Sequence, residues 1–247
     1  MTSEAFPRTV RRRLGYLPGA IAVMGKWEPF LRAHRCLEEV AARAAAALAI
    51  SEALEPPGPY LLSAEGHLRG QPRAGCLMAA EMLVDLGSRP ERVRCCPAAN
   101  QTSVEIRVLD RMRRELSAGG LLMLTAGYHV ERTWHLLQQA GADLGPAIQV
   151  LPSDDALVLE ALQRLPVARQ RRLLPVIERG QRRGIGLAPV ALNEMAARLG
   201  LLAPGVQQMV ARLIRGGDST ASRHESVPMF QPDLGRPAED PHPQQRE

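Results

Sequence analysis

The chain has 247 residues, of which 45% are hydrophobic and 23% charged, a composition ordinary for a soluble globular protein. Its formal net charge of +5 suits phosphate-bearing ligands or nucleic acid without requiring either. No apolar run reaches the roughly 18 residues needed to cross a bilayer. No apolar signal region follows the basic run Arg11-Arg12-Arg13. The short apolar runs exclude a membrane-spanning chain, and together with the missing signal region they predict a cytoplasmic protein.

Apolar runs alternate with helical patterns between residues 17 and 152. The predicted strands are Ala20–Met24, Tyr60–Ser63, Arg92–Cys96, Leu121–Thr125 and Ala147–Leu151. The helices predicted between them cover 29–54, 73–86, 102–116 and 130–140, and Gly87 is typical of the left-handed residue that ends a helix. Strand–helix alternation at this interval predicts an α/β domain, a Rossmann-like parallel sheet of about five strands with helices on both faces.

The sequence outside this domain has a different character. Residues 1–16 predict a basic, weakly structured lead-in. After residue 153 no strand-like run remains, and helical patterns over 154–164, 167–183, 188–200 and 204–215 predict an all-helical C-terminal extension. Residues 216–247 are rich in Pro, Ser, Gly, Gln and charge, which predicts a disordered tail.

The loop after the fourth predicted strand is the main candidate site. Ligands of parallel sheets bind outside the carboxyl ends of the strands, and here Thr125 is followed by Tyr128, His129 and Arg132. His129 and Arg132 share one face of the next helix, whose first N–H groups attract anions. This pattern indicates a phosphate or carboxylate clamp, or a general acid. The alternative is structural, with Tyr128 and His129 capping the helix and Arg132 paired with a nearby carboxylate.

Other potential ligands are less specific. Gly25 follows the first strand but lacks a G-x-G-x-x-G fingerprint, so it indicates at most a tight turn near a ligand. His67 and His135 have no partners at metal-ligand spacing, and we expect no metal site. The four cysteines have no C-x-x-C spacing and are expected to be buried, reduced thiols.

Three segments resemble the SanA–ElyC–YdcF family of bacterial α/β proteins. They are Gly87–Val93, Asn100–Ser103 and Thr125–Arg132, and the likeness spans residues 18–151. Its sharpest part is Tyr128-His129 followed by Arg132, which matches the family pattern T-S-x-Y-H-x-x-R.

The resemblance implies a Rossmann-like domain that binds S-adenosylmethionine or a similar nucleotide as its small-molecule ligand. Ser63 and Gly66 match the family's S-G-G loop after the second strand, and Thr102 matches the threonine after the third. The candidate ligand-binding residues are Gly25, Ser63, Gly66, Thr102, Thr125, Tyr128, His129 and Arg132.

The chain also departs from the family pattern. The family motif E-x-x-S-x-N-T aligns with Cys96–Thr102, where Cys96 stands in place of the glutamate and Ala99 in place of the serine, and only Thr102 is kept. A second family glutamate aligns with Gly75. Two general bases or ribose-hydroxyl acceptors are thereby lost. Glu65 and Glu105 are candidates to replace them. Whether the protein is an enzyme stays open, and a scaffold that binds no ligand is a further alternative.

A second candidate function comes from residues 194–209, which resemble a helix-turn-helix. Gln207, Gln208 and Arg212 would face outward, where amide and guanidinium groups read bases or hold phosphates. The alternative for these helices is packing, or contact between copies in a homo-oligomer. The alternative function is therefore a DNA-binding regulator whose α/β domain senses a ligand.

Overall fold

The structure of the protein is a computed structural model. It describes residues 5–25, 33–54, 56, 58–68, 71, 73–141, 144, 147–184 and 227–233, with the backbone alone at 33–35 and 181–184.

A five-stranded, all-parallel sheet forms the centre of the described structure, with the strand order β3-β2-β1-β4-β5. The strands are β1 (Pro18–Val23), β2 (Tyr60–Glu65), β3 (Val93–Ala99), β4 (Gly120–Thr125) and β5 (Ile148–Pro152). Every residue of β4 is buried, as expected for a strand covered on both faces of a parallel sheet.

Helices cover both faces of this sheet. They are α1 (Ala5–Leu14), α2 (Ala33–Ala53), α3 (Gly75–Asp85), α4 (Thr102–Glu115), α5 (Gly127–Ala140), α6 (Ala156–Arg164) and α7 (Val167–Gly184). One buried core joins α2, α3, α6 and α7 to the sheet, and a second joins α4 and α5 to the opposite face. The predicted α/β class with a Rossmann-like sheet is confirmed.

Helix α3 ends where the sequence predicts. Gly87 has a φ of +101°, a conformation that glycine adopts without the strain of a Cβ atom. The amides of Gly87 and Ser88 donate to the carbonyls of Val84 and Leu83, which satisfies two acceptors at the end of the helix.

The N-terminal segment forms helix α1 instead of the weakly structured lead-in predicted for residues 1–16. Phe6, Val10 and Leu14 are all buried and are spaced by four residues, so they lie on one face of the helix. They join the core that contains α6, and Arg13 donates to Asp155 at 2.7 Å. The basic residues of this segment are therefore the outer face of a packed helix.

Residues 227–233 lie within the range for which a disordered tail is predicted, yet they contact the edge strand β3. Phe230 forms an antiparallel bridge with Cys95, and the two backbone hydrogen bonds between them are both 2.9 Å long. Arg111 donates to the Val227 carbonyl at 2.6 Å. This segment covers part of a sheet edge whose backbone groups would otherwise be open to another strand.

Helices α6 and α7 belong to the α/β core. Leu157, Val158, Leu173 and Ile177 are buried in the same cluster as α2, so the first half of the predicted helical extension packs against the sheet domain. The helices predicted over 188–200 and 204–215 lie outside the described residues. Within the described ranges, no helix has the length and apolar character that a bilayer span requires.

The four cysteines are buried, free thiols. A side-chain hydrogen bond with Cys95, together with burial, raises the pKa of the Cys76 thiol far above its ordinary value. Burial also raises the pKa of Cys96, although Arg111 acts in the opposite direction. Because the thiolate is the reactive form, Cys76 and Cys96 should be inert in the folded protein.

We expect iodoacetamide to modify Cys76 and Cys96 at least about 100-fold more slowly in the native protein than in urea, because modification requires opening of the core. Mass spectrometry of the digested protein after timed alkylation measures this rate for each peptide. Equal rates in the native and unfolded states would contradict the burial of these thiols.

Candidate functional site

The carboxyl ends of β1 and β4 meet where the strand order reverses. The chain runs outward from β1 to β2 and β3 on one side, and β4 and β5 lie on the other. Ligands bind at this switch point in open parallel sheets. Val23 of β1 is paired with Leu124 of β4, so the loop at Gly25 and the buried Thr125 are neighbours. The sequence-predicted loops after the first and fourth strands therefore lie side by side at the carboxyl edge of the sheet.

The loop after β1 is held by two buried side chains. Glu105, from α4, accepts a hydrogen bond from the Gly25 amide at 2.7 Å. Arg43, from α2, donates from one nitrogen to the Met24 carbonyl at 2.8 Å and to the Gly25 carbonyl at 2.9 Å. Helices on opposite faces of the sheet thus fix the backbone at the switch point.

Arg43 is also the centre of a buried ionic network. It is completely buried and pairs with Glu39, one turn earlier in α2, at 3.3 Å. Glu39 in turn accepts a hydrogen bond from the Tyr128 hydroxyl at 2.6 Å. This chain of contacts connects the loop after β1 to the start of α5. The sequence reasoning missed Glu39 and Arg43, although a charged pair at this spacing inside an Ala-rich helix is a signal of buried pairing.

The start of α5 contains the family-like Tyr-His-x-x-Arg motif. The helix begins at Gly127, where a Cβ atom would meet no atom of the described residues within 4 Å. The His129 ring lies 4.3 Å from the Tyr128 ring. His129 and Arg132 are only 5% and 8% exposed. A cation and an imidazole are therefore sequestered beside the first turn of a helix, where the backbone dipole favours negative charge.

Glu65, the last residue of β2, lies between two glycines. A Cβ atom at Gly25 would lie 2.5 Å from Cβ and 2.6 Å from Oε1 of Glu65, and one at Gly75 would lie 2.7 Å from its Cδ. Gln71 donates to Oε2 of Glu65 at 3.1 Å. The buried Glu65 carboxylate thus fills the space beside Gly75. Glu65 and Glu105, the two candidate replacements, both contact Gly25.

The remaining predicted residues have structural contacts. The Ser63 hydroxyl donates to the Val23 carbonyl at 3.1 Å, and the Gly66 amide donates to the Ala99 carbonyl at 2.6 Å. Neither of these donors is directed to an open ligand position. Thr102 is the half-buried first residue of α4, two strands away from β1. Their predicted roles in ligand binding stay predictions.

The side chains at this edge of the sheet are suited to binding a polar ligand. Carboxylates accept hydrogen bonds from hydroxyl groups, and the arginine and histidine near the start of α5 suit an anion. Among the described residues, no group of three His, Cys, Asp or Glu side chains is arranged to hold a metal ion. The residues of the alternative nucleic-acid site, Gln207, Gln208 and Arg212, lie outside the described residues.

Comparison of the chain with protein-family models, with curated proteins and with solved structures finds no match.

Proposed function

We propose that this protein binds a small nucleotide-like or phosphorylated metabolite outside the carboxyl ends of β1 and β4. The observation that supports it is the buried polar network that joins Arg43, Glu39 and Tyr128 at the switch point of the sheet. Burying charged groups costs free energy unless they are paired, and ionisable groups gathered at one cleft are more typical of a functional site than of a core.

The proposed ligand places its anionic group at the start of α5, beside His129 and Arg132. Glu65 or Glu105 accepts hydrogen bonds from its hydroxyl groups, as an acidic residue does for a ribose in other Rossmann-like domains. We propose membership of the SanA–ElyC–YdcF family on the Tyr128-His129-x-x-Arg132 motif, with S-adenosylmethionine as the first ligand to test. We propose no reaction, and the cytoplasm stays the expected location.

Isothermal titration calorimetry with S-adenosylmethionine and with AMP tests the site. We expect His129→Ala and Arg132→Ala each to weaken the affinity of the ligand that binds by roughly 10-fold or more, because each removes a charged or polar contact to an anion. His135→Ala, an exposed histidine of the same helix, and Arg107→Ala, an exposed arginine of α4, are the matched controls and should bind as the wild type does.

Two results would oppose the proposal. One is unchanged affinity in both site variants while circular dichroism shows them folded. The other is failure of both probes to bind, together with a native mass spectrum of the freshly purified protein that shows the mass of the chain alone.

A further inference from the structure

A cavity of about 310 Å³ lies at the amino ends of the strands, opposite the carboxyl edge described above. It is bounded by the end of α2 at Leu48 and Ser51, by the start of β2 at Leu61, and by the α3–β3 connection at Ser88 and Arg92. Its volume is at the lower end of the range for small-molecule sites. The cavity shares no lining residue with the proposed site at the carboxyl edge.

The walls of the cavity carry an excess of positive charge. Arg89 and Arg92 both line it, and neither forms an ion pair within the described residues. Among the described residues, the acidic side chain of the lining is Glu52. Arg169 neutralises it, and the Arg169 Nε donates to its carboxylate at 2.9 Å. Two arginines are thus available to an anion in the cavity.

Arg92 is held in place before any ligand binds. Its guanidinium carbon lies 4.2 Å from the centre of the Tyr60 ring, a stacked arrangement that leaves the edge of the guanidinium group able to donate hydrogen bonds. Its Nε is buried and has no hydrogen-bond partner in the described part of the chain.

Part of the cavity lining is apolar. Leu48, Leu54 and Leu61 line it and are each less than 9% exposed. The hydroxyl groups of Ser51 and Ser88 lie on the same lining. An occupant that combines an anionic group with a small apolar body matches this lining.

We propose that this cavity is a second binding site, which takes a small organic phosphate. Its phosphate group is held by Arg89 and Arg92, because guanidinium groups bind phosphate oxygens through paired, charge-assisted hydrogen bonds. Its apolar body packs against the three leucines. This site is independent of the proposed function at the carboxyl edge.

Phenyl phosphate is the probe, since it combines a phosphate group with a small apolar ring. In calorimetric titrations of the full chain, we expect one equivalent to bind saturably, with inorganic phosphate about 10-fold weaker because it lacks the ring. Phenol should give no measurable binding. Arg89→Gln and Arg92→Gln should each weaken phenyl phosphate by roughly 10-fold or more, through loss of a charged hydrogen bond.

Three control variants separate this site from general electrostatic attraction. Arg94→Gln removes a charge that lies near the same Tyr60 ring, 5.5 Å from its centre, but outside the cavity lining, and should leave binding unchanged. His129→Ala and Arg132→Ala should also leave it unchanged. The Arg89 variant keeps the test valid if Arg92→Gln unfolds through loss of its stacking on Tyr60.

The proposal is overturned if phenyl phosphate binds Arg89→Gln as tightly as the wild type. It is overturned equally if binding does not saturate, or if Arg94→Gln weakens it as much as Arg89→Gln does. Loss of binding in Arg132→Ala alone would assign the probe to the carboxyl edge instead.

Discussion

Replacing Arg43 by alanine is expected to lower the free energy of unfolding by about 3–5 kcal/mol, the usual cost of removing one partner of a buried ion pair. Arg43 is completely buried, and Glu39 is only 4% exposed. Without Arg43, the Glu39 carboxylate keeps the Tyr128 hydroxyl but loses its cationic partner. The carbonyls of Met24 and Gly25 lose a shared donor at the same time. Urea-induced unfolding followed by circular dichroism measures the change.

The matched control for Arg43 is Arg164→Ala. Arg164 pairs with Glu160 at the same spacing of four residues, at 2.9 Å, but both side chains of that pair are partly exposed. Its loss should cost about 1 kcal/mol or less, because solvent screens the pair. If both variants lost a similar amount of unfolding free energy, burial would not make the Arg43–Glu39 pair more important for stability than an exposed pair.

A double-mutant cycle separates the two roles of Arg43. If Arg43 serves only to neutralise Glu39, the combination of Arg43→Met with Glu39→Gln should recover most of the stability lost in Arg43→Met, since an uncharged pair of similar volume packs well in a core. We expect only partial recovery, because the double variant still cannot donate to the Met24 and Gly25 carbonyls. Full recovery would contradict a role for Arg43 in holding the loop after β1.

The sheet and its flanking helices could be predicted from the sequence because their signals are local. The run Leu121–Thr125 and the observed strand Gly120–Thr125 differ by one residue, since a strand buried on both faces is apolar throughout. Helix α1 had a local signal too, in the four-residue spacing of Phe6, Val10 and Leu14. The four arginines between Phe6 and Leu14 give the segment a polar composition, and for that reason the sequence predicts a weakly structured lead-in.

The contacts that build the candidate site could not be predicted in the same way. The Gly25 amide meets a carboxylate 80 residues away, on Glu105, and Glu39 meets a hydroxyl 89 residues away, on Tyr128. Such pairs depend on how two helices are placed across the sheet, and a single sequence has no local pattern for them. The bridge between Phe230 and Cys95 is a third example, because an edge strand accepts a partner from any part of the chain.

Glu65 offers a test of how tightly the carboxyl edge is packed. Position 75 is the first residue of α3 and its φ is not in the left-handed region, where Gly→Ala normally stabilises a protein by about 0.4–1 kcal/mol. Here the new methyl group would overlap the Glu65 carboxylate. Glu65 is already packed against Gly25, so its carboxylate has no room to move in that direction.

Gly75→Ala is therefore expected to destabilise the wild-type protein by about 1–3 kcal/mol, the typical cost of overpacking, and to stabilise the Glu65→Ala variant. Gly127→Ala is the matched control. Gly127 is likewise the first residue of its helix, but a Cβ atom there would meet no atom of the described residues within 4 Å. The substitution should therefore be neutral or slightly stabilising in both backgrounds. Thermal and urea unfolding of the four variants of the cycle give the coupling free energy. A Gly75→Ala effect of the same sign and size with and without Glu65 would show that the carboxylate does not fill the space beside Gly75.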